Sequence, residues 1–274
     1  MARLVDAHAR CRGPEDAGEP ALDLAGFKRL VRDLDLWCSS SMLATEGDEP
    51  VGVLLGAKRD EATLVHTVRV HPAHRRCGHA RHLLTSLGQK LAILGPPRLV
   101  AEVPAEREPA RALFEACGWR LECRLVDWRR TPAGERRAGA AARDLPIAPI
   151  GAAEAVASGL LERAAAWHRD HAALARSAEP PAGLGFYSPE RLEACALYRE
   201  GEDGCELLAV GASPGELGGA ALRLLLAELE RRAAGAALRM GRVVTEEPAA
   251  ALLAELGFAP GRQHLRFATE ARAA

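Results

Sequence analysis

Arg75, Gly78 and Ala80 stand in the spacing R-x-x-G-x-A within VRVHPAHRRCGHARHLLTSLGQKLAIL, residues 68–94. Small residues let a ligand approach the backbone closely, and Arg75, Arg76 and Arg81 add cationic charge beside them. Behind the loop, Ala80, Leu83, Leu84, Leu87, Leu91 and Leu94 recur at helical spacing and predict one buried face. Ahead of it, an extended run from about Thr63 ends at Pro72, which cannot donate to a sheet. The loop is therefore expected at a helix N-terminus, where backbone N–H groups lack intrahelical partners and the macrodipole is positive. That environment suits a pyrophosphate. Two familiar phosphate loops are excluded: the first glycine of G-x-G-x-x-G is missing, and there is no G-K-[ST].

The pattern V-x-V-x-P-x-x-R-x-x-G-x-A before an amphipathic helix resembles motif A of the Gcn5-related N-acetyltransferases (GNAT). Residues 98–119, RLVAEVPAEREPARALFEACGW, are similar to the family's next strand and helix, with Ala110, Leu113, Phe114, Gly118 and Trp119 in the places of A-x-x-L-Y-x-x-x-G-F. The resemblance covers roughly residues 40–130. It implies an α/β fold, a mixed, mostly antiparallel sheet flanked by helices. It also implies acetyl-coenzyme A as co-substrate, entering between two splayed strands. The pyrophosphate would then meet Arg75, Arg76, Gly78, His79, Ala80 and Arg81, and the backbone around Val68 and Val70 would face the pantetheine and acetyl group.

The rest of the chain is consistent with such an enzyme. Its 274 residues suggest two domains. A formal net charge of −1 implies no polyanionic partner, so no nucleic acid is expected. There is no apolar run of membrane-spanning length and no signal-peptide core at the start, so a cytoplasmic location is expected. Seven cysteines without C-x-x-C read as reduced thiols, with Cys77 a small loop filler. Residues 2–9 suggest a first strand, 22–36 a helix, and MLATE and VGVLLGAK a hairpin around Gly47-Asp48-Glu49.

The second half repeats the first. EPAAALLAELGF at 247–258 matches EPARALFEACGW at 108–119 without gaps, and LLAVGASPGELGGAALRLLLAELERR at 207–232 repeats strand, loop and helix. In this reading Gly218 and Ala220 stand where Gly78 and Ala80 stand, and Gly215 replaces Arg75. Two tandem acetyltransferase-like domains follow: 1–130 with the coenzyme site and the splayed strand pair, a linker at 131–144, and a degenerate copy at 145–274.

Acetyl transfer to an amine requires a polarised thioester carbonyl, a base for the amine proton and, ideally, an acid for the thiolate. By the resemblance, Glu102 of AEVP is the candidate base, against the plainer reading of a solvated strand carboxylate. His66 is the second candidate; if alternation holds it shares a face with Leu64 and Val68, where a packed core histidine is the ordinary reading. The family's usual acid is a Tyr at the place of Phe114, which has no proton to give, and Arg107 replaces the usual Asn before that helix. His71, His74, His79 and His82 crowd the loop, yet no closed ligand set is apparent and no metal is expected. Trp167 and His168 read as helix-surface or interface residues, with a substrate-cleft role open. The expected activity is N-acetyl transfer to a primary amine on a small molecule or protein. The alternative is a non-catalytic acyl-coenzyme A sensor or interaction module. The acceptor and the oligomeric state, a homodimer included, are left open.

Overall fold

The computed structural model describes residues 1–131, 145–161, 164, 166–177, 179–201, 204–233 and 236–271. The expected linker lies almost wholly outside them. The chain divides into two compact units, Met1–Cys123 with His264–Ala274, and Arg124–Gln263.

The first unit opens with α1 (Ala2–Arg10) and α2 (Leu24–Leu34). The expected strand at 2–9 is thus a helix: Leu4, Ala7, His8 and Cys11 are buried at helical spacing, a pattern that a short run does not separate from a strand in sequence. Asp23 caps α2 by accepting the Gly26 N–H. The hairpin forms as expected, β1 (Met42–Glu46) with β2 (Glu49–Lys58), followed by β3 (Thr63–Val70), α3 (His79–Leu94), β4 (Arg98–Pro104), α4 (Glu108–Ala116) and β5 (Arg120–Arg130). Leu83, Leu84, Leu87 and Leu91 carry the buried face of α3, whereas Leu94, at its last residue, is exposed.

The sheet order here is β1-β2-β3-β4-β11, where β11 is Ala259–Glu270 at the far end of the chain. Strands β3 and β4 are parallel and pair only at Thr63–Leu99 and Leu64–Val100, then separate. By contrast β4 pairs with β11 at seven positions, from His264–Pro104 to Glu270–Arg98. Leu265 and Phe267 of β11 complete a core with Leu87, Leu99, Ala101, Val103, Phe114 and Trp119.

The second unit holds residues 124–130 of β5, then β6 (Ile147–Pro149), α5 (Ala152–Ala157), α6 (His171–Arg176), β7 (Ala182–Tyr187), β8 (Leu192–Gly201), β9 (Gly204–Ala212), α7 (Glu216–Arg232), β10 (Leu238–Val244) and α8 (Pro248–Glu255). Its strand order is β5-β10-β9-β8-β7-β6. Each sequence half therefore sends most of its last strand, residues 124–130 of β5 and 264–270 of β11, to the other half's compact unit, which a contiguous division at 130 and 145 does not contain. No helix among the described residues is long and apolar enough to cross a membrane.

Candidate active site

The register of β3 breaks opposite β2: Leu55 pairs with Thr67 and Gly56 with Val65, leaving His66 as the extra residue of a β-bulge. The expected alternation is overturned here. Val65 lies in the α3 core and Val68 packs against that same core, so the face of Leu64 is not that of Val68. A bulge frees backbone groups from the ladder and re-aims them. This one lies just past the last β3–β4 pair, so the freed backbone and the strand separation coincide.

Beyond β3, residues 71–78 run through a 3-10 turn at Pro72–His74 to Gly78, the cap of α3. Gly78 has φ +90°, and a Cβ built there would meet nothing within 4 Å. The helix has no side-chain cap and no acidic residue in its first turn. Its first N–H groups, on His79, Ala80 and Arg81, are thus left to an outside acceptor. Arg76 also takes a left-handed conformation, φ +66°. Of the expected cations, Arg75 donates from Nε to the Val70 carbonyl (3.2 Å) and pairs with Glu15 (2.6 Å), while Arg81 donates to the thiol of Cys117, the C-cap of α4. Cys77 is exposed, its thiol 3.5 Å from the Arg75 carbonyl.

Glu102 lies on β4 past the point of separation, and its side chain is only 1% exposed. It is not a solvated carboxylate: Arg266, its register partner on β11, stands 4.0 Å away and also approaches Glu122 at 3.0 Å. Phe114 is buried between Trp119 (rings edge-on, 4.9 Å) and Phe267 (stacked, 5.8 Å), so this position serves the core.

Sequence reasoning missed the segment between α1 and α2. Asp16, buried, pairs with Arg69 of β3 (3.3 Å) and with Arg107 before α4 (3.1 Å); Glu19 joins both arginines. The unusual Arg107 thus has a partner, and the ends of the diverging strands are bridged by one acidic loop. Burial pushes the Asp16 carboxyl up, but the Gly13 N–H, Arg69 and Arg107 outweigh it and hold the group below its ordinary value. Arg69 also lies 2.7 Å from His8 Nε2. Arginine only donates, so this nitrogen accepts and His8 is neutral. Burial, then Arg69, lowers its pKa to about 4. With the folded value depressed, the unfolded chain takes up the proton first, so stability is lost as pH falls from 6.5 towards 4. The expected loss is about 3 kcal/mol. Urea midpoints of His8→Gln should be less acid-sensitive than wild type across that window; parallel curves would exclude this assignment.

The second unit repeats the devices in closed form. Its strands β9 and β10 also separate after two pairs, at Cys205–Leu238 and Glu206–Arg239, and β9 carries a matching bulge at Leu208. The separation is filled: Arg169 donates from Nε to the Leu208 carbonyl and from Nη1 to the Arg242 carbonyl, each 3.2 Å, and lies 3.5 Å from Glu247. Trp167 and Arg169 are buried, so the run read as helix surface is a 3-10 turn wedged into the sheet. Only residues 213–215 link β9 to α7, against eight in the first unit. Gly215 caps α7 with a positive φ of +101°, as Gly78 caps α3 with a positive φ, so Gly215 is the counterpart of Gly78 and not of Arg75. The expected equivalence of Gly218 with Gly78 is out of register, and Gly218 instead packs on the Ser213 carbonyl. Glu216 in the first turn supplies α7 with its own negative charge.

Residues 3–119 match the family model "Acetyltransferase (GNAT) family". The fold of the whole chain is similar to a GCN5-related N-acetyltransferase from Sphaerobacter thermophilus (TM-score 0.68, 18% identity, covering 99% of this chain and 93% of that one). It is likewise similar to a tandem GNAT protein from the clavulanic acid biosynthesis pathway (TM-score 0.66, 18% identity, 100% and 95% covered). A putative acetyltransferase from Pyrococcus horikoshii shares the fold at TM-score 0.62 and 13% identity, with 99% and 86% covered. Residues 3–119 thus match the GNAT acetyltransferase family model, and the chain over its full length shares the fold of a GCN5-related N-acetyltransferase and of a tandem GNAT protein.

Proposed function

We propose that the first unit is an N-acetyltransferase using acetyl-coenzyme A and a primary amine, and that the second unit holds no coenzyme. The observation that carries this reading is the contrast between the two helix starts. Both helices lack a side-chain cap and are open at their cap glycine, but α3 follows an eight-residue loop and has no acidic residue in its first turn, whereas α7 follows a three-residue link, with Glu216 in its first turn and Arg169 across the strands before it. The bound thioester supplies an activated acetyl group. The N–H groups of 79–81 hold the pyrophosphate, with Arg75 turning to it from Glu15 and Arg76 alongside. The backbone freed at the His66 bulge, continuing to Val68 and Val70, polarises the carbonyl. The amine nitrogen attacks the carbonyl carbon, the C–N bond forms and the C–S bond breaks. The amine proton goes to Glu102, directly or through water, with His66 the second candidate, and the thiolate leaves without a proton from Phe114.

One observation favours a second reading, a non-catalytic acyl-coenzyme A sensor: Phe114 is locked in the core and brings no hydroxyl to the site. Thiol release with acetyl-coenzyme A and a panel of amines separates the two. Binding itself is tested by Gly78→Glu, which places a carboxylate and a side chain disfavoured at φ +90° where the pyrophosphate is held. Calorimetry should show near-complete loss of coenzyme A binding; retained affinity would move the site elsewhere.

A further inference from the structure

The loop before α3 lies against a cluster whose side chains the transfer chemistry does not use; of His79 that chemistry takes only the backbone N–H. Glu46 ends β1, His74 ends the 3-10 turn at Pro72–His74, and His79 is the first residue of α3. Their ligand atoms converge: His74 Nδ1 is 3.1 Å from Glu46 Oε1, His79 Nε2 is 3.4 Å from that same oxygen, and all three lie within 4.8 Å of one another. Two four-coordinate bonds of 2.0–2.1 Å place neighbouring ligand atoms about 3.3 Å apart. The spacing to the shared carboxylate is therefore that of a coordination shell.

A second observation points the same way. His79 Nε2 is sealed from solvent and has no hydrogen-bond partner, although Glu46 stands beside it. A buried polar nitrogen left so is costly. Ordinary ion pairing does not resolve it, because the contact to Glu46 lacks hydrogen-bond geometry. A cation among the three atoms would. His71 is already engaged, its Nδ1 accepting the Ala73 N–H, and it packs edge-on against His74, which fixes that ring.

We propose that Glu46, His74 and His79 form a binding site for one zinc-type divalent cation. Two imidazoles and a carboxylate suit zinc and its transition-metal neighbours rather than calcium or magnesium, which take oxygen shells. Three protein ligands leave a coordination position for water or an anion. The ion ties the end of β1 to the loop and to the first turn of α3, so its binding stabilises the fold by mass action. Neither its detection nor its failure depends on the acetyl-transfer reading.

The test is equilibrium dialysis of the full chain, stripped with chelator and titrated with zinc in the absence of coenzyme A. One equivalent should bind and raise the melting temperature. Glu46→Gln and His74→Gln should each weaken binding more than about 100-fold, since even partners behind the ligands cost 10–100-fold. His82→Gln, on the exposed face of the same helix, should bind as wild type. Cobalt in place of zinc should give the visible bands of a low-coordinate nitrogen–oxygen site without thiolate charge transfer. No binding by the wild type overturns the proposal. So does unchanged binding in Glu46→Gln and His74→Gln, or a thiolate band, which would give the metal to a cysteine such as Cys77. The wild-type titration and the cobalt spectrum decide the matter even if a variant fails to fold.

Discussion

Deleting residues 264–274 is expected to unfold the first unit and abolish coenzyme A binding, although the deletion lies in the sequence-distant second half. Strand β4 pairs with β3 at two positions only, because the strands separate there. Its other neighbour is β11, at seven positions. Without β11, β4 becomes an edge strand exposing its N–H and C=O groups, and Phe114 and Trp119 lose the ring of Phe267. Phe267→Ala in the full chain isolates the packing contribution. The residue is 1% exposed, and such a truncation costs about 3–5 kcal/mol. Denaturant titration followed by tryptophan fluorescence measures it, Trp119 lying in the affected core. A fragment of residues 1–130 should fail in the same way, for want of the same strand. If the deleted chain binds coenzyme A with unchanged affinity and melting temperature, β11 is dispensable and the division of the units is wrong.

Glu102→Gln is expected to lower turnover by about 10²–10⁴-fold, the usual worth of a positioned general base. Glutamine keeps the size and some hydrogen bonding but takes no proton. Coenzyme A affinity should survive, because residues 75–81 belong to another element. The loss should shrink at high pH, where more of the substrate amine is already neutral. The environment of Glu102 sharpens the test. Its side chain is sealed and faces Arg266, so a merely structural carboxylate would show itself differently. Its neutralisation would leave a buried guanidinium less well balanced and lower the melting temperature at every pH. A stable variant with low turnover and a changed pH profile supports the base. A destabilised variant with normal turnover assigns Glu102 to structure. His66→Gln is the parallel case: normal turnover in Glu102→Gln beside a dead His66→Gln would transfer the role to the bulge. If both turn over normally, positioning of an amine that arrives neutral carries the rate.

Much of this protein was written locally. Pro72 stops β3, and the leucines at 83, 84, 87 and 91 bury one face of α3. Gly78 is needed where the backbone turns left-handed before an uncapped helix. The repeat of 108–119 at 247–258 announced a second copy of the fold. These features are determined by residues within a few turns of one another, where periodicity, turn chemistry and capping act. The tertiary structure decided the rest, because it depends on partners far apart in the chain. The bulge at His66 is defined only against β2, so alternation in β3 alone put Leu64 and Val68 on one face. Arg69 and Arg107 acquired Asp16 and Glu19 as partners through folding, and Glu102 acquired Arg266 through a strand some 160 residues further on. Glu46 joins His74 and His79 only because β1 ends beside α3. Most of the last strand of each half serves the other's unit, since pairing of exposed backbone rewards proximity in space and takes no account of order along the chain.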